Sequence, residues 1–416
     1  MMTAGSNVDG ENNGASYQSP TEETLTPISS SSTTADNSID APSLPTLPFD
    51  LVTEILCWIP VKFLLQFCCV CKSWNYLISQ DSKFQKKQLS HGRLHLILTP
   101  PPSPYNLFGN IRLSDFLMSS IFNNNLSTIT ATQIKYALPP PLGTRLEGRR
   151  SFGGVTSLDG IFCFAIDELS ALLFNPSIRK FKLLPPLENP QQNHYVHTKY
   201  TLLYHRFTNN YKIVAVSSRR NRPIDVHSHA FGTNYWTRIQ NIPFKCRFHG
   251  MGISVGDTVN WLVYDVGNRL WVILSLDLED DSYQKFLHPF SNEPYNFNKV
   301  VVSQELKGCF CIVSQRPNFS DVWIMKEHGN EQSWTKLFSV PYLTDRWFYA
   351  YSKAVYVSED DKVLMEFKKK LGKFSLVIYD FRNGTFNIPK IENIDAGLMI
   401  PNIYVESLIL NCSMLR

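Results

Sequence analysis

Three short patterns in this chain carry residue types that serve chemistry in other proteins. Gly252-Ile253-Ser254-Val255-Gly256 has the spacing of a hydrolase nucleophile elbow, where a strand-to-helix turn presents serine to His and acid partners. The residues that follow, DTVNWLVY, have the pattern of a turn and then a strand, so a β-hairpin is the stronger reading. Cys68 and Cys71 stand at a redox or half-zinc spacing. No second Cys or His pair lies at zinc-finger distance and no strand precedes them, so small buried hydrophobes explain them better. His227 and His229 alternate in a strand and share one face, without a clear third ligand. Neither a phosphate-binding Gly-Lys-Ser/Thr loop nor a His-Glu-x-x-His motif is present. The expectation is a non-catalytic protein with no cofactor and no metal.

The elements around these patterns fall into three regions. Residues 1–43 are rich in Ser, Thr, Asn and Gly, include the run Ser29 to Thr34, and hold almost no large apolar side chains. Such a segment buries too little surface to offset its ordering entropy, so a disordered tail is expected. Its charges are all acidic, with no Lys or Arg, unlike a secretory or transit peptide. Across residues 44–90 the apolar spacing is helical: Asp50 is placed to cap a helix whose stripe is Leu51, Val52, Ile55, Leu56 and Ile59. Pro60 ends it, and a second stretch carries Phe63, Leu64, Phe67, Val70, Trp74 and Ile78. That is more apolar surface than so short a unit can bury alone, which calls for a partner.

From residue 94 the pattern changes to short strands and turns, and a repeat emerges. Each unit has an apolar strand, a polar turn, an aromatic residue, a second short strand and usually a Pro. The aromatic markers are Tyr136, Phe181, Trp236, Tyr283, Trp334 and Phe386. Their spacing near ~50 residues is that of kelch-like blades, whose usual closed form is a β-propeller. About six blades are expected over residues 94–411, with Leu94–Thr99 and Val405–Leu410 sharing a blade that ties the ring shut. Asn383-Gly384 is a strong two-residue hairpin signal. The fold class is therefore α+β, a small helical unit followed by an all-β propeller.

Composition narrows the function. The 416 residues carry a formal net charge of only +4, with 43% hydrophobic and 13% aromatic residues, enough for a large core. The basic runs Arg219-Arg220-Asn221-Arg222 and Lys368-Lys369-Lys370 are short, so a dedicated nucleic-acid surface is not expected. Ile55 to Cys71 is apolar but broken by Pro60, Lys62 and Gln66, and short for a membrane span of roughly 20 residues. A cytoplasmic or nuclear protein, not secreted and not bound to a membrane, is expected.

The helical segment LPTLPFDLVTEILCWIPVKFLLQFCCVCKSWNYLIS, with Asp81 and Phe84 after it, resembles an F-box. The segments FNPSIRKFKLLP, YKIVAV, VNWLVY, VWIMKEHGNEQSWTKLF and VESLIL resemble the plant F-box-associated, kelch-related domain. Phe174 stands where that family often has Trp, LLYHRFTNNYKIV lacks its frequent Gly-Phe-Gly, and Gln66 replaces an arginine often found there. The resemblance implies the substrate-recognition subunit of a Skp–cullin–F-box ubiquitin ligase, with helices docked on a Skp-type adaptor and through it a cullin. The expected adaptor contacts are Leu47, Pro48, Leu51, Ile55, Leu56, Ile59, Pro60, Leu64 and Val70. Lys62, Lys72, Lys83, Lys86 and Lys87 either complement an acidic adaptor or form a solvated basic face. Target-binding positions, expected on loops at one propeller face, are not identified by the sequence. A propeller scaffold or decoy without ligase coupling, and a hydrolase using Ser254, are the competing readings.

Overall fold

Pro48 opens the helical region, its carbonyl accepting from the amides of Leu51 and Val52 in a computed structural model of the chain. The structure describes residues 47–99, 110–123, 128–137, 154–166, 169–187, 196–219, 223–291, 300–342, 348–369, 374–392 and 399–409. The expected tail over residues 1–43 lies outside them. Helix α1 is Phe49–Cys57, α2 Val61–Phe67, α3 Lys72–Gln80 and α4 Ser82–His91. Asp50 is thus not the cap. It sits in the first turn, where its charge faces the positive helix end. Pro60 separates α1 from α2 and begins the latter, with Phe63 and Leu64 amides bonding its carbonyl. What looks like one stretch from Val61 to Ile78 is two helices, parted by the Cys68–Cys71 turn. Asp81 is a true N-cap, accepting from Lys83 N at 2.8 Å and Phe84 N at 3.0 Å.

The rest is a six-bladed β-propeller. Blade I combines Ile400–Val405, Leu94–Thr99, Asn110–Leu117 and Thr132–Ala137. Blade II is Val155–Leu158, Ile161–Ala165, Ala171–Asn175 and Lys180–Leu183; blade III is Val196–His205, Asn210–Arg219, Asp225–Ala230 and Thr237–Arg238. Blade IV is Cys246–Val255, Thr258–Asp265, Leu270–Asp277 and Tyr283–Phe286. Blade V is Val300–Leu306, Cys309–Gln315, Phe319–Met325 and Trp334–Pro341; blade VI is Phe348–Val357, Lys362–Lys369, Phe374–Asp380 and Thr385–Asn387. Each blade's first strand lies beside the first strands of its two neighbours, and blade VI returns to blade I, which closes the ring. Middle strands are buried on both faces, as Ile161–Ala165 and Ala171–Asn175 are throughout, because blades stack face to face.

The sequence repeat maps onto one structural position. Tyr136, Phe181, Tyr283, Trp334 and Phe386 all lie in the fourth, outermost strand of a blade, and Trp236 immediately precedes one. Closure is antiparallel, from Leu94 opposite Val405 to Thr99 opposite Ile400. The closing strand therefore ends where it was expected to begin. Residues after Val405 leave the sheet because their polar groups are held elsewhere: Glu406 N donates to Arg93 O, and Ser407 O accepts from Asn175 Nδ2 at 3.0 Å. Gly92 and Gly160 both abut this segment, and a Cβ on either would come within 2.5 Å of its backbone.

The hairpins refine another expectation. Asn383-Gly384 is not a two-residue turn; Asp380 pairs with Thr385 across four residues, with Gly384 at φ 66. Asp380 Oδ1 accepts from Arg382 and Asn383 amides, so the aspartate fixes the longer turn. Two-residue turns with both φ values positive occur instead at Asp159-Gly160 and Lys307-Gly308.

Candidate partner-binding face

Helix α1 shows how the apolar stripe divides. Leu51, Ile55 and Trp58, three and four residues apart, form one edge and are 51, 55 and 69% exposed. Leu56 and Cys57 turn inward and are buried, with Val52 and Ile59 partly so. In α2 the same split sets exposed Phe63 against buried Leu64. Val70, in the turn before α3, and Tyr76 on α3 are 61 and 66% exposed. The buried side is not a private core. Leu56, Val61, Leu64, Leu77, Ile78 and Phe84 pack in one cluster with Ile161, Leu173 and Leu184 of blade II, Tyr200, Leu202 and Ile213 of blade III, and Leu408 and Ile409.

Polar contacts hold the helices in register with the blades. Glu54 pairs with Lys87, joining α1 to α4, and the ring of Trp58 stacks on His91 at 3.9 Å between centroids. Lys86 donates to Tyr204 and Asn209 on blade III. Arg93, just past α4, grips Glu406 through Nη2 at 2.6 Å and Nε at 3.1 Å. His95 Nδ1 lies 3.1 Å from Asp115 and its Nε2 3.3 Å from Glu406. Burial disfavours charge on His95, but Asp115 and Glu406 outweigh it and raise its pKa to about 9. Burial likewise opposes the Glu406 carboxylate, yet His95 and Arg93 bring its pKa down to about 2. Asn175, wholly buried, donates to Ser407 O and Ile409 O and accepts from Ser177 N, which explains why an Asn opens the Asn-Pro-Ser unit.

The expected contact residues therefore separate. Leu47, Pro48, Leu51, Ile55 and Val70 are exposed, and Ile59 and Pro60 are half-buried. Leu56 and Leu64 are 2 and 0% exposed, so the expectation that they touch a partner is revised: they belong to the core shared with the propeller. Helical spacing shows which residues share a face, but not that the face meets another part of the same chain. Phe49, Trp58, Phe63 and Tyr76 are exposed apolar residues that are not among the expected adaptor contacts, although Phe63 belongs to the apolar stretch read from the sequence. A second apolar stripe beside the first was the available signal. Of the five lysines, Lys86 and Lys87 have partners within the chain, while Lys62, Lys72 and Lys83 are exposed. Trp74 packs edge-on to Phe67 against the core.

The remaining chemistry-bearing residues are dispersed. Ser254 lies inside the strand Cys246–Val255, paired with Val259, and not on a strand-to-helix turn. His229 is buried, with Nδ1 3.0 Å from Tyr235 O, while His227 is half-buried opposite Arg238. Cys69 and Cys71 are exposed, which corrects the reading of this thiol group as buried; Cys68 is half-buried. Among the described residues no three His, Cys, Asp or Glu side chains gather as metal ligands, and no helix is long and apolar enough to cross a membrane.

A helical unit with one face in the propeller and one apolar face open matches a known pair of families. The F-box domain matches residues 44–86, and the F-box associated beta propeller domain matches residues 113–410. The chain belongs to the F-box associated beta propeller family. An F-box/kelch-repeat protein of Arabidopsis thaliana is 27% identical over 374 residues, spanning 87% of this chain and 95% of that relative. The F-box protein CPR1 of the same plant is 24% identical over 399 residues, spanning 88 and 89%. The open face thus lies on the F-box, and the shared core joins the F-box to the F-box associated propeller.

Proposed function

We propose that this F-box protein is the substrate-recognition subunit of a Skp–cullin–F-box ubiquitin ligase. The observation that carries the reading is the open apolar face of α1 and α2, Leu51, Ile55, Trp58 and Phe63, on helices whose opposite side is already buried. Exposed apolar surface of this kind marks an interaction site. A Skp-type adaptor is the partner that F-box membership supports. Lys62 on α2, Lys72 on α3 and Lys83 on α4, all exposed, would speed association with an acidic adaptor. The propeller then holds a target close to the conjugating enzyme, and the rate gain is one of proximity rather than of side-chain chemistry. The blades are taken as kelch-related on their period near fifty residues and on their similarity to the F-box/kelch-repeat relative.

The test is co-purification with a Skp-type adaptor. Wild-type chain should be captured, and Ile55→Asp and Phe63→Asp should lose capture while keeping their thermal stability. Undiminished capture by both variants would remove the assigned face.

A further inference from the structure

The turns Asp159-Gly160 and Lys307-Gly308 stand on blades II and V, three apart in a ring of six and so on opposite sides of its axis. Between them is a cavity of about 350 Å³, walled by Leu94, Leu158, Leu306, Val355 and Ile403. Its size is at the small end of ligand sites, enough for a small molecule or an inserted side chain. It lies at the end of the ring where first strands turn into second strands, and three charged residues, Asp159, Glu305 and Lys307, line it beside the apolar walls. Glu305 accepts from Gly308 N in its own turn and stands two residues from Lys307, so blade V balances its own charge. Asp159 is different. Its Oδ2 accepts from Tyr211 at 2.7 Å, and Lys86, the lysine whose charge acts on it, is already held by Tyr204 and Asn209. Burial pushes the Asp159 carboxyl above its ordinary range, against the hydrogen bond from Tyr211 and the charge of Lys86.

We propose that this axial cavity binds an organic cation with an apolar body, an alkylguanidinium or alkylammonium such as the side chain of arginine or lysine presents. The alkyl part lies against the leucines and valine, and the cation meets the Asp159 carboxylate, forming a charge-assisted hydrogen bond in a partly desolvated site.

Calorimetric titration of the full chain with n-pentylguanidine and with its neutral counterpart n-pentylurea tests the proposal. Pentylguanidine should bind at least about tenfold more tightly than pentylurea, and Asp159→Asn should abolish that difference. Equal affinity for the two probes, or no heat from pentylguanidine up to millimolar concentration, would overturn it. Lys307→Glu, at an exposed position, provides a second variant that leaves the cavity walls intact. It should tighten pentylguanidine binding by about two- to fivefold through added negative charge, and weaker binding would count against the proposal. A short peptide with one arginine among alanines, compared with its citrulline form, separates the sources. Discrimination by the peptide pair points to a polypeptide side chain, and discrimination by the pentyl pair alone to a free small cation. Ile55→Asp should leave every titration unchanged, so failure here is distinct from failure of the adaptor face.

Discussion

Fifteen large hydrophobic side chains are exposed among the described residues, and eight of them lie in the short stretch from Leu47 to Tyr76. The six blades, several times longer, expose the other seven. The two regions solve burial differently. A closed ring gives every blade two neighbours, so its middle strands are covered on both faces. Four short helices cannot enclose their own apolar surface. One side is covered by blades II and III, and the other is left open. The comparison teaches that exposure here is not a packing defect, because residues adjacent in sequence take opposite roles: Ile55 and Phe63 outward, Leu56 and Leu64 inward.

That contrast is best broken from the inside. Leu64→Asp puts a charge into a site with no exposure in the core shared by helices and blades, and should cost about 4 kcal/mol or more. A single lowered thermal transition, with helices and propeller melting together, is expected. Two transitions with an unchanged propeller would show that the regions are independent. From the outside, Phe63→Asp should leave the melting temperature within a degree or so while weakening adaptor capture by about 2 kcal/mol, the scale of an interface anchor. A large stability loss would mean that the open face is partly core.

The seam between the regions gives smaller effects. Asn175→Ala leaves the carbonyls of Ser407 and Ile409 without their donor, and should destabilise by about 1–3 kcal/mol. Chemical denaturation measures it, and no change would mean that the C-terminal segment is not needed to join blade II to the helices. The charged cluster predicts a pH dependence. His95, raised from 6.5 to about 9, contributes stability that is full below 6.5 and is lost as pH rises through about 9. Glu406, lowered from 4.5 to about 2, contributes stability present above 4.5 and lost as pH falls towards about 2. The advantage of wild type over His95→Gln in melting temperature should therefore shrink between pH 6.5 and 9. A constant gap would show that Asp115 and Glu406 do not hold a protonated His95.

Much of the fold is legible in the sequence. The period of the aromatic markers came from a position used once per blade, the outermost strand, so counting markers counted blades. The turn at Asn383-Gly384 was misjudged because Asp380, three residues earlier, bonds two amides and lengthens the loop. Closure was placed a few residues late because VESLIL alternates like a strand, whereas Glu406 and Ser407 have polar partners on distant segments. Of the expected partner face, Leu51, Ile55 and Val70 are open in the structure, and Leu56 and Leu64 are covered by blades II and III, far away in sequence.

By itself the sequence determined the helices, the repeat and the excess of apolar surface over what four helices can bury. Those properties are local: periodicity, proline, capping residues and composition act within a few turns of chain. The tertiary structure alone decided which half of that surface faces inward, which lysines are already paired, and that Asp159 and Lys307 line one cavity. These depend on contacts between residues far apart in the chain, and pattern along the sequence carries no measure of that distance.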